Sequence, residues 1–188
     1  MSQNRTQNRL MLNKDYFLKT IEITYKENYP KMYRLAMKMV HDEAVASDII
    51  QEVFVYYFEK TQNTVGATFT VAQKLNIKNT PAWLARATMN KCVDYLRHRD
   101  KFTPLNVMDN ATFEEKPFEI QKTETLLKQA ISKLKPLEIK IVILYSEEYS
   151  YKEIAKIAEI NFSSVGKTLS RTLQKLKEIL KTMNYEMY

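Results

Sequence analysis

The amino-acid sequence predicts an all-α protein made of two small helical domains joined by a flexible linker, with a helix-turn-helix in the C-terminal domain. Apolar residues recur at helical spacing through most of the chain, and strand-like alternation is scarce. Only 2 glycines are present, which argues against many tight β-turns and against glycine-rich phosphate loops. Two prolines interrupt the helical period within residues 102–120. We therefore expect domains over residues 12–100 and 121–181, with the linker over residues 101–120.

The N-terminal domain is expected to follow a polar, frayed segment over residues 1–12. Apolar residues at helical spacing predict a first helix from Asp15 to about Asn28. Because proline lacks a backbone N–H, we expect Pro30 to end this helix or to open the next one, which continues over residues 31–40.

Two further helices are predicted in this domain, separated by a long loop. Asp42 is a good N-cap for the first, which covers about residues 43–60. Asn79 or Thr80 caps the second, which is basic, most densely near its C-terminal end. Residues 61–79 between them hold few charges and break the helical period. Loops of this length inside compact domains are often functional.

The C-terminal domain is predicted to contain two supporting helices followed by the helix-turn-helix. The supporting helices cover residues 121–134 and run from Pro136 to about Glu147. The first helix of the motif covers residues 151–158, and Ser150 is its expected N-cap. The tail after the motif is expected to be loose.

The second helix of the motif is long, apolar on one side and basic on the other. Ser163 or Ser164 is expected to cap it. Ala155 in the preceding helix allows close helix–helix approach, and Val165 can pack back against it. Glu159 occupies a turn position that often holds glycine, where a left-handed conformation is unfavourable for Glu. The apolar stripe consists of Val165, Leu169, Leu173, Leu176 and Leu180.

The basic side of this helix is predicted to lie in the major groove of duplex DNA. Residues in the first turns of such a helix read base edges, and residues further along contact phosphates. An ordinary solvated charged face is the alternative for a lone helix, but the helix that precedes it favours DNA binding. The candidates for base contact are Ser163, Ser164, Lys167, Thr168 and Arg171, and those for phosphate contact are Lys175, Lys177 and Lys181.

The net charge of +7 and the isoelectric point of about 9.3 favour an anionic partner, with nucleic acid ahead of an anionic membrane surface. No apolar run approaches membrane-spanning length, and the N-terminus lacks the apolar core of a signal peptide. We therefore expect no membrane insertion. The single cysteine, Cys92, cannot form an internal disulfide and is expected to be a packing thiol, which fits the cytoplasm.

One acidic face is predicted on this otherwise basic chain. On a helical wheel Asp48, Glu52 and Glu59 lie together, with Gln51 beside them. The face is either a set of ordinary solvated carboxylates or a docking surface for a basic partner, since charge complementarity orients partners and speeds their association.

The sequence contains no recognisable catalytic constellation. His41 and His98 are isolated, and there is no HExxH, paired-cysteine, phosphate-loop or nucleophile motif. Asp48 and Glu52 share a helix face, but further metal ligands at suitable spacing are lacking. We therefore expect no enzymatic activity, no metal and no cofactor.

Four segments, in order along the chain, resemble the bacterial RNA polymerase sigma factors of the extracytoplasmic-function group within the sigma-70 family. They are DIIQEVF at residues 48–54, PAWLARATMNKCVDYLR at 81–97, residues 134–144, and SYKEIA at 150–155 followed by the helix at 163–176. The departures from the family pattern are Glu159, Gly166, and Lys135 before Pro136. The matching residues are Asp48, Gln51, Glu52, Phe54, Trp83, Leu84, Asn90, Asp94, Arg97, Glu153, Ile154, Ala155, Val165 and Arg171.

The resemblance implies a transcription initiation factor that binds core RNA polymerase and directs promoter-specific initiation. The N-terminal domain would dock on the clamp helices of the largest polymerase subunit, and would recognise and melt the minus-ten promoter element. Residues 61–79 would capture a flipped, single-stranded base. The residues implied in polymerase docking are Asp48, Gln51, Glu52 and Phe54, and those implied at the minus-ten element are Arg86, Asn90, Lys91, Arg97 and Arg99.

The resemblance further implies that the C-terminal domain reads the minus-thirty-five element through residues 163–171 and touches the polymerase flap. Many members of this family are held inactive by an anti-sigma factor, although nothing in this sequence identifies one. The alternative is a stand-alone helix-turn-helix regulator that never binds polymerase. That alternative accounts for residues 150–181 but leaves DIIQEVF and the Trp83 helix unexplained.

Overall fold

The structure, a computed structural model, describes residues 2–62, 79–102 and 118–185, and within these ranges every regular element is a helix, as predicted. The predicted loop over residues 61–79 and the predicted linker over residues 101–120 therefore lie mostly outside the described residues. Helix ends extend into both segments. The helices are α1 (Ser2–Val40), α2 (Glu43–Gln62), α3 (Thr80–Phe102), α4 (Phe118–Ser132), α5 (Pro136–Ser146), α6 (Tyr151–Ala158) and α7 (Phe162–Tyr185).

Helix α1 begins at Ser2 and runs without interruption through Pro30. The predicted break at Pro30 and the predicted frayed N-terminal segment are therefore wrong. Proline inside a helix costs about 3 kcal/mol, because one hydrogen bond is lost and the ring crowds the preceding turn. The residues that follow offset this cost, since Met32, Leu35 and Ala36 are fully buried in the core that α1 forms with α2 and α3.

Hydrogen bonds confirm the predicted N-caps of three helices. Asp42 Oδ1 accepts from the Val45 N–H at 2.9 Å at the start of α2. Of the two candidates for α3, Asn79 is the cap, because its Oδ1 accepts from the Ala82 N–H at 3.0 Å. Ser150 caps α6.

Helix α7 differs from the prediction at both ends. It begins at Phe162, so neither Ser163 nor Ser164 is its cap. The Ser164 N–H donates instead to the backbone oxygen of Asn161 at 2.9 Å. At the other end the helix continues to Tyr185, into the segment that was expected to be loose, because Met183 is buried in the core of the domain. The last three residues of that segment lie outside the described residues.

The described helices form two cores that contact each other. Helices α1, α2 and α3 pack together in the N-terminal domain, and α4 to α7 pack together in the C-terminal domain. Between the domains, α5 packs on α1 and α6 packs on α3. Cys92 is fully buried on α3, and burial raises the pKa of its thiol to about 12, as expected of a packing residue. Among the described helices, none has both the length and the apolar character that crossing a membrane requires.

Candidate nucleic-acid and partner interfaces

The turn of the helix-turn-helix is set by a capping box and a left-handed residue. The Glu153 N–H donates to Ser150 Oγ at 3.4 Å, and the Ser150 N–H donates to Glu153 Oε2 at 2.9 Å. Glu159 has φ of 58° and ψ of 45°, the left-handed conformation that costs a non-glycine residue about 1 kcal/mol. The Glu159 N–H donates to the Ala155 oxygen, and the Ile160 N–H donates to the same oxygen at 3.1 Å, which closes α6.

One face of α7 holds the helix in the domain, and its composition differs from the predicted apolar stripe. Val165 and Leu169 are buried, whereas Leu173 is 40% exposed. Thr172 is buried in its place, and its hydroxyl donates to the Thr168 backbone oxygen at 2.9 Å. Because the hydroxyl finds its acceptor within the helix, threonine can lie in the core, which apolarity alone does not predict.

The opposite side of α7 carries the residues predicted to contact bases. Ser163, Lys167 and Arg171 are exposed, and Ser164 and Thr168 are half-buried. Because Ser163, Lys167 and Arg171 lie within the first three turns of the helix, their exposed side chains form a polar and basic strip (the α7 strip) at the end that enters a groove in helix-turn-helix proteins.

Lys175, predicted to contact a phosphate, is engaged within the domain. Its Nζ donates to Glu138 Oε2 at 2.7 Å, and the same carboxylate oxygen accepts from the Lys135 N–H at 2.7 Å. Burial by itself raises the pKa of Glu138, but the hydrogen bonds from Lys175 and Lys135 outweigh it, and the net pKa lies below its ordinary value. Because this ion pair joins α7 to α5, a phosphate would have to compete with Glu138 for Lys175.

The polar residues implied in polymerase docking are exposed on α2. Asp48, Gln51 and Glu52 form an acidic strip on this helix, the α2 strip. Phe54 is different, because it is 2% exposed and its ring centroid lies 4.8 Å from that of Tyr25 on α1. Phe54 therefore holds α2 in the core, and its side chain does not lie on the surface that a partner would contact.

Two of the basic residues implied at the minus-ten element form ion pairs within the N-terminal domain. Lys91 Nζ lies 2.8 Å from Glu52 Oε2, which connects α3 to the α2 strip. Arg97 Nη1 lies 3.3 Å from Asp94 Oδ1 in the same helix. All four side chains are more than half exposed, so each pair stabilises the fold only slightly.

Two other residues implied at the minus-ten element contact the C-terminal domain. Arg86 Nη1 donates to Glu159 Oε1 at 2.6 Å, at the turn of the helix-turn-helix. Asn90 Oδ1 accepts from Lys140 Nζ on α5. Arg99 lies half-buried further along α3.

An exposed aromatic residue lies beside Trp83 and was not predicted. Helical spacing places Tyr56 on the same side of α2 as Ile49 and Val53, which are buried, but Tyr56 itself is 49% exposed. Its ring lies nearly parallel to that of half-buried Trp83, with an interplanar angle of 11° and 6.0 Å between centroids. Lys60 Nζ lies 5.3 Å from the Tyr56 centroid. The signal in the sequence was that tyrosine is amphipathic, which lets its ring cover a neighbour while its hydroxyl stays in water.

Two family models match the chain, one in each domain. The model described as Sigma-70 region 2 matches residues 24–102. The model described as Sigma-70, region 4 matches residues 124–176. The first range holds the α2 strip and the residues of α3 implied at the minus-ten element, and the second range holds the α7 strip.

Two individual sigma factors are also similar to this chain in sequence. The ECF RNA polymerase sigma factor SigE of Mycolicibacterium smegmatis is 24% identical over 165 residues, which cover 82% of this chain and 59% of that protein. The ECF RNA polymerase sigma factor SigM of Bacillus subtilis is 25% identical over 168 residues, which cover 85% of this chain and 94% of that protein.

A solved structure shares the fold. It is the co-crystal structure of the sigma factor RpoE in complex with the anti-sigma factor NepR from Bartonella quintana. The match has a TM-score of 0.59 at 19% identity and covers 87% of this chain and 98% of that one. The two region models, the two relatives and the shared fold agree, and the chain therefore belongs to the extracytoplasmic-function group of the sigma-70 family of RNA polymerase sigma factors.

Proposed function

We propose that this chain binds core RNA polymerase and directs it to specific promoters. The observation that carries the proposal is that one chain exposes both an acidic strip, on α2, and a polar and basic strip, on α7. A regulator that only binds DNA requires the second strip, whereas the first is explained by a basic protein partner. Membership of the sigma-70 family supports the same function.

The α2 strip is the proposed contact to the clamp helices of the largest polymerase subunit. Asp48, Gln51 and Glu52 lie within about one turn of α2, so their side chains meet a partner together. Phe54 contributes indirectly, because its packing against Tyr25 fixes how α2 is seated on α1.

The basic face of α3 is the proposed contact to the minus-ten element. The cations that are paired with exposed carboxylates, Lys91 and Arg97, can exchange these partners for phosphates at little cost, because such surface pairs are weak. Trp83 lies at the beginning of the same helix, and the ring of Tyr56 on α2 stacks beside it. Aromatic rings stack on unpaired bases in proteins that bind single strands. The full set is Arg86, Asn90, Lys91, Arg97 and Arg99.

The α7 strip is the proposed reader of the minus-thirty-five element. Arg171 is the strongest candidate for a base contact, since arginine makes two hydrogen bonds to guanine in the major groove. The other members of the set are Ser163, Ser164, Lys167, Thr168 and Lys175. The same domain is proposed to touch the polymerase flap.

In this function the chain has no catalytic chemistry of its own and works in the cytoplasm, where polymerase and promoter DNA are found. An anti-sigma factor is a further candidate partner. The shared fold with a sigma factor that was solved together with an anti-sigma factor supports this candidate.

Run-off transcription tests the proposal, with purified core polymerase, this chain and genomic fragments as templates. We expect new, discrete start sites with the wild-type chain. Asp48→Arg combined with Gln51→Arg reverses the charge of the α2 strip without touching the Glu52–Lys91 pair, and should weaken core binding about tenfold or more. Glu27→Arg, a charge reversal at an exposed position on α1 and outside the acidic face of α2, is the matched control. A chain that protects DNA in a footprinting assay but never changes the start sites of core polymerase would be a stand-alone regulator.

A further inference from the structure

The first residue of α7 is an exposed phenylalanine. Phe162 is 56% exposed, the largest exposed fraction among the large apolar residues that the structure describes. Its neighbours along the chain, Asn161 and Ser163, are exposed and polar. A single apolar residue on a protein surface is ordinary, so exposure by itself implies no ligand. The position of Phe162 gives the exposure a meaning, because this end of the helix enters a groove in helix-turn-helix proteins.

Phe162 begins a row of residues that runs beside the α7 strip. Residues four apart form rows on a helix surface, so Phe162, Gly166 and Ser170 lie in one row. Each of them comes directly before one residue of the α7 strip, and the two rows are therefore adjacent. Phe162 and Ser170 are exposed and Gly166 is half-buried, so the second row also faces outwards.

The dimensions of duplex DNA bring both rows into the major groove. An α-helix with its side chains is about 10 to 12 Å across, and the major groove is about 12 Å wide. A helix that directs the α7 strip at the floor of the groove therefore fills the groove, and the adjacent row lies against one side of it. Phe162 is the member of that row closest to the base edges, because residues in the first turns make the base contacts.

Gly166 leaves the Phe162 ring uncovered. Side chains on a helix lean towards its N-terminus, so a side chain four positions after Phe162 would lie over the ring. Glycine has no such side chain. Apart from adjacent residues, the one described side chain within 4 Å of a carbon added at Gly166 is that of Tyr151, at 3.5 Å. The surface next to Phe162 is therefore open to a ligand.

The charges of α7 favour nucleic acid over protein as that ligand. No acidic side chain occurs in α7 before Glu178, whereas Lys167 and Arg171 lie beside the row of Phe162. The N-terminus of a helix also carries a partial positive charge, which attracts phosphates. A duplex supplies negative charge together with an apolar group, since thymine presents its C5-methyl group in the major groove.

We propose that Phe162 determines part of the sequence specificity of this chain, and that its ring contacts the C5-methyl group of a thymine in the minus-thirty-five element. The inference rests on the proposed function of the α7 strip, and extends it from hydrogen bonding to recognition of an apolar group. Uracil and cytosine lack this methyl group, so the contact selects thymine against both.

Binding selection with the full-length chain identifies the thymine. The probe is a pool of duplexes with a random region of about 20 base pairs, two turns of DNA, from which bound sequences are enriched. Each thymine of the enriched sequence is then replaced singly by deoxyuridine, which removes one methyl group. The wild-type chain should bind about fourfold more weakly when one particular thymine is replaced, as expected for the loss of one buried methyl group.

Variants of the full-length chain assign this discrimination to the ring. Phe162→Ala should bind the thymine and deoxyuridine duplexes equally, whereas Phe162→Leu should retain a difference because leucine is also apolar. Leu173→Ala is the matched control, since it shortens another exposed apolar side chain of α7 and should discriminate as the wild-type chain does. Exchanging cytosine for 5-methylcytosine at the same position should strengthen binding by the wild-type chain and not by Phe162→Ala. Thermal unfolding verifies that each variant is folded.

Equal discrimination of the methyl group by the wild-type chain and by Phe162→Ala overturns the proposal. A wild-type chain that binds every deoxyuridine duplex as tightly as the thymine duplex overturns it as well. If Phe162→Ala binds all duplexes normally but no longer supports run-off transcription with core polymerase, the ring contacts a protein, and the proposal is again wrong. Failure of the proposed function gives a different result, because a wild-type chain that enriches no sequence has no base-reading α7 strip. Loss of methyl discrimination alone refutes only the role of Phe162.

Discussion

Lys91 Nζ on α3 lies 2.8 Å from Glu52 Oε2 on α2, so the helix proposed to hold the minus-ten strand is paired with the helix proposed to dock on polymerase. Both side chains are more than half exposed. A partner that binds Glu52 therefore releases Lys91 for a phosphate, at a cost that is small because exposed pairs are weak.

Glu52→Gln tests how weak this pair is. We expect the free energy of unfolding to change by less than about 0.5 kcal/mol, because solvent screens the pair, while binding to core polymerase weakens measurably. Urea unfolding and a polymerase pull-down make the two measurements. A large loss of stability would mean that the Glu52–Lys91 pair stabilises the fold substantially. Unchanged core binding would remove Glu52 from the docking surface.

Arg171→Ala should weaken promoter binding by about 1 to 3 kcal/mol and relax sequence preference, because the arginine would no longer discriminate between bases. Competition binding against a panel of promoter variants measures both effects. Lys177→Ala on the same helix is the control, and should weaken binding to all sequences alike. If Arg171→Ala also weakens all sequences alike, Arg171 contacts phosphate rather than bases.

Promoter affinity should fall steeply as salt concentration rises, because binding releases counterions from the phosphates that lysine and arginine neutralise. A plot of the logarithm of affinity against the logarithm of salt concentration gives the slope. Each substitution that removes a phosphate-binding lysine or arginine should reduce that slope by about one. A flat response in the wild-type chain would contradict phosphate anchoring on α3 and α7.

Acid should weaken α6 through its capping box. The pKa of Glu153 is lowered by hydrogen bonds from the Ser150 hydroxyl and then from the Ser150 N–H. Because the folded pKa lies below the ordinary value of 4.5, the stabilisation is fully present above that value and is lost as pH falls through the folded pKa. Glu153→Gln should therefore reduce the loss of stability between about pH 6 and pH 3.

Urea unfolding at several pH values measures this effect on the capping box. Ser150→Ala is the companion variant, and should cost about 1 kcal/mol at neutral pH through loss of the cap. Equal pH dependence in the wild-type chain and in Glu153→Gln would show that the capping box does not contribute.

Gly166→Ala should stabilise the C-terminal domain by about 1 kcal/mol, because alanine favours a helix interior over glycine. The structure has room for the added carbon, which would lie 3.5 Å from Tyr151 Cε2, an ordinary contact. Thermal unfolding checks this prediction. Ser170→Ala, one turn further along on an exposed position, should give a smaller gain of about 0.5 kcal/mol. A lower unfolding temperature for Gly166→Ala would mean that Tyr151 cannot yield.

Sequence patterns predicted the wrong burial or the wrong helix boundary where contacts in the folded chain outweighed a local preference. Pro30 does not break α1, because the buried residues after it hold the helix in the N-terminal core. Thr172 replaces Leu173 in the core of α7, because its hydroxyl is satisfied within the helix. Phe54 fits the family motif, yet its ring lies in the core, and Tyr56 fits an apolar group, yet its ring is exposed. Periodicity assigns a residue to a side of its helix, but the neighbouring helices decide how much of that side is covered.

The sequence alone determined the helical class, most of the helix caps, the helix-turn-helix and the family, because these depend on residues a few positions apart along the chain. The tertiary structure alone decided the state of the charged side chains. Arg86 meets Glu159 across 73 residues and Arg34 meets Glu147 across 113 residues, and no local pattern encodes either pair. Whether a charged group faces water, DNA or the other domain is fixed by what lies opposite it, and that depends on how the two domains meet.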